Sequence, residues 1–489
     1  MSRLYLILAA ALCGLVAGCG GTTKLGSPSE SGATLVGSGA IAYAAVDSDL
    51  GSGQWQQVDT LLKKFPIRDR LLKEINAGLA DQNLDYDKDI KPALGPEVDF
   101  AAAGSSPSDV AYVALTKPES IDKAKALVRK LDEGSNPSQK PTVTRVVDGW
   151  LVVSESQAMI DRVLKGSGSS LSDDTHFEAA WAKLPDEALA KVYANGRQVS
   201  NLFGTLFSGG AQTAAFGGGS SPFSNLDSLT ASLVAKDDGL AATFHTEATG
   251  NDTGLGAPYS SKLLSGVPAD ALAFATFRGS GKGNPIDQLR QNPAIAPGIQ
   301  QVEHLLGMQL EPILALFGHE TAIYVRRGAG LPEISLVLET PDTERALGTI
   351  DRLAARVAQL SGAKLAVGPG GVKTLDLGRF AVHWAGFDGR VLLTSGPTGI
   401  EDYRGHGDKL ADSARFKEAL DGAGAPTETN GLLYVAVDEA AKLVFNYLGL
   451  AGEKVPTELS ENLKPLRSFV AFATTDGGVG NATAFLEVK

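Results

Sequence analysis

The hydrophobic positions of the chain follow helical and strand periods, and the same order of periods occurs twice. In each half, a short strand-like run precedes apolar residues at helical spacing, from Trp55 to Phe65 and again from Ile299 to Leu306. Shorter apolar runs bounded by turn residues follow and are typical of strands. The pattern predicts an α+β fold with two tandem copies of a mostly antiparallel sheet, each with helices packed mainly on one face.

Matching residues in the two halves indicate an internal duplication. The strand-like run Ala40 to Ala45 corresponds to Ala271 to Thr276. Further pairs follow in the same order along the chain: 94–97 with 317–320, 113–115 with 336–338, Asp148-Gly149 with Asp388-Gly389, Phe177 with Phe416, and Tyr193 with Tyr434.

Each copy is predicted to end in a hairpin, formed by 229–235 with 240–247 in the first copy and by 468–474 with 480–488 in the second. An earlier hairpin is predicted at Asp148-Gly149, because this dipeptide favours a tight turn between strands. The predicted organisation is a signal peptide at 1–18, a flexible tether at 19–37, a first α+β unit at 38–248, a linker at 249–264 and a second α+β unit at 265–489.

The first unit carries an insert at 204–224 that is rich in Gly, Ser and Phe. The composition predicts a mobile loop. The alternative is an apolar flap that touches lipid or a partner through Phe203, Phe207, Phe216 and Phe223.

The N-terminus has the order of an export signal, with Arg3 before an uncharged apolar stretch that ends in Leu15-Val16-Ala17-Gly18-Cys19. This ending looks like the lipobox of a bacterial lipoprotein, which predicts lipidation of Cys19 and attachment to the outer face of the cell membrane. An ordinary cleaved signal with an incidental cysteine is the alternative. Several acyl chains hold a protein on a membrane more firmly than one chain does.

Composition narrows the classes of function. The 489 residues have a formal charge of −12, and such an acidic surface argues against nucleic acid as a partner. A hydrophobic content of 43% fits a folded body. Cys13 and Cys19 are the only cysteines of the sequence, and neither remains free after signal cleavage and lipidation. The body is therefore predicted to contain no disulfide.

No reactive constellation stands out, so we predict no catalytic, cofactor-binding or metal-binding residue. The histidines are scattered without the spacing of a helical zinc motif. The run Gly279 to Gly283 departs from a phosphate-binding loop, and Asp85 to Asp89 lacks the glycine of a calcium loop. An acidic turn before a helix is the better interpretation of Asp85 to Asp89.

Three features together resemble a bacterial, mainly actinobacterial, family catalogued as domain of unknown function 3352. They are the lipobox at Cys19, the run Ser52 to Gln57 leading into Phe65-Pro66, and the step Leu94-Gly95-Pro96-Glu97. The resemblance implies a location in the cell envelope and brings no catalytic residues.

Three functions remain open. The first is a non-enzymatic envelope lipoprotein that binds or scaffolds an extracytoplasmic partner. The second is a carrier or sensor of a lipid or other apolar ligand, held between a sheet and its helices or between the units. The third is a hydrolase with Glu97 and Glu320 as bases, although their matched positions before a strand favour a structural turn.

Overall fold

A single antiparallel sheet of 18 strands organises the computed structural model of the chain. The structure describes residues 25–133, 141–166, 168–199, 226–249, 256–279, 290, 296–328, 331–450 and 452–489. The α+β class and the antiparallel pairing predicted from the sequence are confirmed.

The strands are β1 Ala42–Asp47, β2 Glu97–Ala103, β3 Ala111–Thr116, β4 Val143–Val147, β5 Trp150–Ser154, β6 Ala190–Asn195, β7 Leu226–Lys236, β8 Gly239–Ala248, β9 Ala273–Arg278, β10 Glu320–Arg326, β11 Glu333–Glu339, β12 Lys364–Val367, β13 Lys373–Asp376, β14 Ala381–Phe387, β15 Arg390–Thr394, β16 Gly431–Val435, β17 Leu466–Asp476 and β18 Val479–Val488.

The helices are α1 Gly53–Leu62, α2 Arg68–Asp81, α3 Lys91–Leu94, α4 Ile121–Glu133, α5 Gln157–Val163, α6 Thr175–Trp181, α7 Ala296–Leu306, α8 Glu311–Ala315, α9 Thr343–Ser361, α10 Gly399–Arg404, α11 Ala414–Ala423, α12 Val437–Leu450 and α13 Thr457–Leu463. Within the described part of the chain, no helix is long and apolar enough to cross a bilayer.

The strand pairing repeats in the two halves. The first half runs β4-β5-β3-β2-β1-β6-β7-β8, and the second runs β14-β15-β11-β10-β9-β16-β17-β18 in the corresponding order. The hairpin of β12 and β13 extends the second half beyond β14. The halves join where β8 pairs with β18, from Gly239↔Glu487 to Glu247↔Val479. The last hairpins of the two copies therefore form the centre of one continuous sheet.

Corresponding aromatic pairs pack in the same way in the two copies. The rings of Phe177 and Tyr193 meet edge to face at 4.9 Å, and those of Phe416 and Tyr434 do so at 5.0 Å. All four side chains are buried. These pairs join the helix before β6 or β16 to the sheet, and edge-to-face contacts of this kind add to the stabilisation from burial.

Helices pack on both faces of the sheet, so the prediction that they lie mainly on one face is wrong. We call the face that carries Tyr43 and Tyr434 the front face. In the first half, α5 and α6 cover the front face and α3 and α4 cover the back face. In the second half, α10 and α11 lie in front and α9 behind. The reason is visible in β5, whose five residues are all buried, because a continuous apolar strand needs cover on both sides.

The N-terminal segment packs against the front face, so the predicted tether at 19–37 is wrong for residues 25–37. Leu25, Leu35 and Val36 lie in the first core, and residues 32–34 form a turn of 3-10 helix. Val36 and Gly37 form bridges to 164 and 170. Glycine and serine in this segment allow close backbone packing rather than a free tether.

The predicted linker at 249–264 also packs in the part that the structure describes, residues 256–264. Tyr259 and Leu263 are buried, and Tyr259 bridges to Thr429. These residues precede β9 as the segment 25–37 precedes β1, and both segments lead into a short 3-10 turn. Each copy therefore begins earlier than the sequence pattern indicates.

Tight turns close the predicted hairpins between β4 and β5 and between β14 and β15. Asp148 and Gly149 have φ of 50° and 82°, and Asp388 and Gly389 have φ of 46° and 71°. Positive φ at both central residues defines the turn that matches the twist of paired strands. The prediction from the Asp-Gly dipeptide is confirmed.

Candidate functional site

The matched carboxylates Glu97 and Glu320 are buried at the starts of β2 and β10. Glu320 accepts hydrogen bonds from the Ser261 hydroxyl at 2.5 Å, the Lys262 amide at 3.0 Å and the Thr276 hydroxyl at 3.1 Å. Glu97 accepts one from the Gly26 amide at 2.8 Å. Each carboxylate thus holds the segment that precedes the first strand of its own copy, which is a structural role.

Two more carboxylates surround Glu97 on the front face. Asp99 is fully buried and accepts the Gly32 amide at 2.7 Å, and Asp47 accepts the Ser52 hydroxyl at 2.5 Å. Burial raises the pKa of Asp47 to about 7. Burial, followed by the charge of Glu97, raises the pKa of Asp99 well above its usual range. The second copy has Ala322 where the first has Asp99, so this polar cluster belongs to the first copy only.

The acidic run Asp85 to Asp89 forms a turn of helix whose carboxylates bind protein groups. Asp85 accepts the Lys88 amide at 2.9 Å, and Asp89 pairs with Lys130 at 3.1 Å. Among the described residues, no three His, Cys, Asp or Glu side chains come together as a metal site. Two of the histidines bind neighbouring side chains, His245 to Asn481 and His383 to Thr374.

Several predictions fall on residues outside the described ranges: the signal peptide at 1–18, lipidation of Cys19, the first part of the tether at 19–24, the insert at 204–224, and the run 280–283 of the glycine-rich sequence after β9.

The apolar cavity between the sheet and the helices behind the first half is too small for an apolar ligand. Behind the first half, α4 and strands β2, β3 and β5 enclose an apolar cavity of about 30 Å³, lined by residues such as Leu94, Leu127 and Val153. That volume equals roughly one water molecule in the liquid. A larger recess of about 260 Å³ lies beside Arg327 and Arg415. Alanine and leucine line it together with charged side chains, and the two guanidinium groups pair with Glu439 and Asp438.

The central strands β7, β8, β17 and β18 carry most of their polar residues on the front face, which helices cover in part. The Ser228 hydroxyl donates to Glu247 at 3.2 Å, and the matched Ser468 hydroxyl donates to Glu487 at 2.5 Å. α6 contacts β7, and α11 contacts β17 and β18. The front face therefore buries Ser228, Thr230, Ser232, Ser468 and Glu487. At the junction of the two hairpins, Thr243, His245, Asn481 and Thr483 are half-buried.

The back face of the same strands is apolar and half-exposed. Register places Leu233, Ala242, Ala484, Ala471 and Leu433 side by side across β7, β8, β18, β17 and β16. The next row across β8, β18, β17, β16 and β9 contains Phe244, Ala482, Ala473, Gly431 and Phe277.

These two rows form a shallow groove that we call the apolar trough. Small residues at 242, 431, 471, 473, 482 and 484 form its floor. Leu233 and Phe244 form one wall, with 38% and 43% of their surface exposed. Leu433 and Phe277 form the other, with 37% and 41% exposed. A contiguous exposed apolar surface on a protein can mark an interaction site.

The two ends of the trough differ. At one end Leu240 packs with Trp55 and Val58 of α1. At the other end lie Thr246 and Thr475, the first polar side chains on this face of β8 and β17. The trough thus ends at the Trp55 cluster on one side and at two threonine side chains on the other.

The sequence analysis missed this site, although its signal is present. Small apolar residues alternate with Ser and Thr in β7 and in β18, as in Leu229-Thr230-Ala231-Ser232-Leu233. Alternation shows that the strand has an apolar face. It does not show which face the helices cover.

Comparison with known proteins is informative at the level of the family. A profile described as "Protein of unknown function (DUF3352)" matches residues 128–488. The chain belongs to the DUF3352 family. The matched range includes both closing hairpins, and hence the whole apolar trough. The prediction of this family from sequence motifs is confirmed.

Outside the DUF3352 family the similarities are weak. No curated protein matches the sequence of the chain significantly. Crystal form IV of TP0453 has 12% identity and a TM-score of 0.25, covering 44% of this chain and 75% of that one. Crystal form III of TP0453 has 10% identity and a TM-score of 0.25, covering 47% and 93%. TM-scores this low support no conclusion about fold or function.

Proposed function

We propose that this DUF3352 protein is a non-enzymatic binding protein of the cell envelope, anchored through lipidated Cys19, and that the apolar trough is its binding surface for an apolar ligand. One observation carries the proposal. The closing hairpins bury polar residues such as Ser228, Thr230 and Ser468 on the front face and leave alanine, leucine and phenylalanine residues half-exposed on the back face. Covering that surface with a ligand lowers the free energy of the complex through hydrophobic burial.

The buried carboxylates favour binding over hydrolysis. Glu97 and Glu320 both bond to the backbone segments that they hold. A general base must reach the proton that it removes, and these groups face packed protein instead.

The test is binding of an environment-sensitive dye such as ANS to the purified chain. We expect Ala484→Glu, which places a charge on the trough floor, to weaken dye binding by about tenfold or more. Leu365→Glu is the matched control, because Leu365 is also exposed but lies on β12. Equal dye binding by the parent and the Ala484→Glu chain, with both folded, contradicts the proposal.

The anchor is tested separately by fractionation of cells. We expect the chain in the membrane fraction and expect Cys19→Ser to release it, because the thiol is the site of acylation. Retention of Cys19→Ser on the membrane contradicts the lipid anchor.

A protein partner is the second candidate, and α12 favours it. This helix contacts β17, has no buried residue, and exposes Val444, Leu448 and Leu450. An apolar helix surface of this kind suits a partner's own apolar groove.

A further inference from the structure

We infer that the ligand of the apolar trough is the hydrocarbon chain of a lipid, lying along the strands with its methyl end near Trp55 and its polar end near Thr246 and Thr475. This inference rests on the proposed function, since it names the class of ligand that the trough takes.

The lining selects a ligand that needs no hydrogen bonds. The ten residues of the two rows that define the trough include no charged and no hydroxyl side chain. Their backbone groups take part in the antiparallel ladders. A protein interface has about one hydrogen bond per 100–200 Å² and a polar rim. A partner helix also places charged residues beside its apolar stripe. The trough walls contain no charged or hydroxyl side chain that could pair with them. An uncharged hydrocarbon chain matches this uncharged lining.

The length of the trough agrees with an acyl chain. A rise of about 3.4 Å per residue makes the distance from Leu240 to Thr246 about 20 Å. One leaflet of a bilayer contributes about 15 Å of hydrocarbon, which is the reach of one acyl chain. Strand spacing sets the walls at Leu233 and Leu433 about 19 Å apart between their Cα atoms, with three strands of small residues between them, so the floor is wider than one acyl chain.

The two ends of the trough orient the hydrocarbon chain of the lipid. Trp55 and Leu240 close one end with apolar surface. The Trp55 indole donates to the backbone oxygen of Asp47 at 2.9 Å, so its ring is fixed in place. At the other end, beside the turn at Gly477, the surface becomes polar. The Thr246 hydroxyl donates to the Gly480 backbone oxygen at 3.2 Å, and the Thr475 hydroxyl donates to the Gly256 backbone oxygen at 3.4 Å. A carboxylate or headgroup is better solvated there than against Trp55.

The experiment measures quenching of tryptophan fluorescence by two forms of hexadecanoate, one brominated near the methyl end and one brominated beside the carboxyl group. We expect the methyl-end form to quench strongly and the carboxyl-end form weakly. Trp55→Phe removes this difference, because Trp150, Trp181 and Trp384 lie in other cores. Ala484→Glu and, as a milder variant, Leu433→Gln both weaken binding of hexadecanoate, whereas Leu365→Glu leaves it unchanged.

Different failures have different meanings. Stronger quenching by the carboxyl-end form contradicts the proposed orientation of the lipid, with its methyl end near Trp55. If dye binding depends on Ala484 while hexadecanoate neither quenches nor displaces the dye, the lipid inference is wrong and the proposed function stands. Displacement of the dye by an amphipathic helical peptide alone assigns the trough to a protein partner. Dye binding that is insensitive to Ala484→Glu overturns both proposals.

Discussion

At the scale of single residues, Glu97 and Glu320 occupy matched positions with different surroundings. Glu320 accepts bonds from three side-chain or backbone donors within 3.1 Å, and Glu97 accepts the Gly26 amide. Burial also raises the pKa of Glu97. The two glutamates therefore contribute differently to stability, and substituting each one should give different changes in the free energy of unfolding.

We predict that Glu320→Gln lowers the free energy of unfolding by about 2–4 kcal/mol, because a neutral amide loses charge-assisted hydrogen bonds worth about 1.5–3 kcal/mol each. Glu97→Gln is the matched control and should cost less, because burial already disfavours the Glu97 charge. Urea unfolding monitored by circular dichroism measures both. Equal losses for the two variants contradict this account.

The second residue-scale prediction concerns pH. Burial raises the pKa of Asp47 to about 7, against an ordinary value of 3.8. Between about pH 4 and pH 7 the folded chain therefore binds more protons than the unfolded chain. Stability should fall as the pH rises across this interval and should change little from this group above it. Asp99 and Glu97 act in the same direction.

Asp47→Asn should flatten that dependence, since the amide does not titrate. The measurement is the midpoint of urea unfolding at pH 4.5, 6 and 7.5, in the parent and the variant. Asp69→Asn is a suitable control because the Asp69 side chain is 92% exposed. A parent chain that gains stability as the pH rises through this range refutes the prediction.

At the scale of elements, the segment before β1 shows how a weak pattern can be misleading. Leu25, Leu35 and Val36 are spaced too irregularly to predict a helix or strand, and glycine and serine separate them. Their burial follows from long-range contacts with the front face, including the Gly26 and Gly32 amides on Glu97 and Asp99. The apolar alternation in β7 and β18 was equally visible, but its exposed face was not predictable.

We predict that a chain beginning at Ser38 is severely destabilised. It loses three buried apolar side chains, each worth about 1.5–3 kcal/mol on burial, out of a total stability of about 5–15 kcal/mol for a typical domain. A chain beginning at Thr23 is the control, because it retains Leu25 and the bond from Gly26. Thermal unfolding compares them, and equal melting temperatures would show that the segment contributes nothing.

At the scale of the whole molecule, the pairing of β8 with β18 unites the two copies. Register runs from Gly239↔Glu487 to Glu247↔Val479, and Ala241 packs with Phe485 in the second core. The trough exists only because the two closing hairpins meet, since its floor takes Ala242 from the first copy and Ala484 from the second. Duplication followed by edge pairing therefore creates a surface that neither copy has alone.

We predict that the copies stay together after the chain is cut within residues 250–255. The β8–β18 ladder and the packing around Phe485 do not depend on that connection. A protease site inserted there allows the test, and the cut chain should elute as one species in gel filtration and separate only in denaturant. Separate elution of the fragments without denaturant contradicts a stable junction.

The sequence by itself determined the features that depend on local chemistry. Apolar periodicity predicted the α+β class, and Asp-Gly dipeptides located two hairpins because few residues accept the positive φ of their turns. Ordered matches such as Phe177 with Phe416 predicted the duplication, and motifs such as Leu94-Gly95-Pro96-Glu97 predicted the family. The hairpin signals lie within a few residues of the turns that they predict, and the duplication is read by comparing one half of the sequence with the other.

Only the tertiary structure decided which edges meet and which faces are covered. Pairing of Ala242 with Ala484 joins residues far apart in the chain, and no local preference selects it over other apolar edges. Burial of Leu25 and exposure of Phe244 depend likewise on where the helices settle. The trough was hidden from sequence analysis for this reason, because alternation specifies that a strand has an apolar face and long-range packing specifies whether that face is covered.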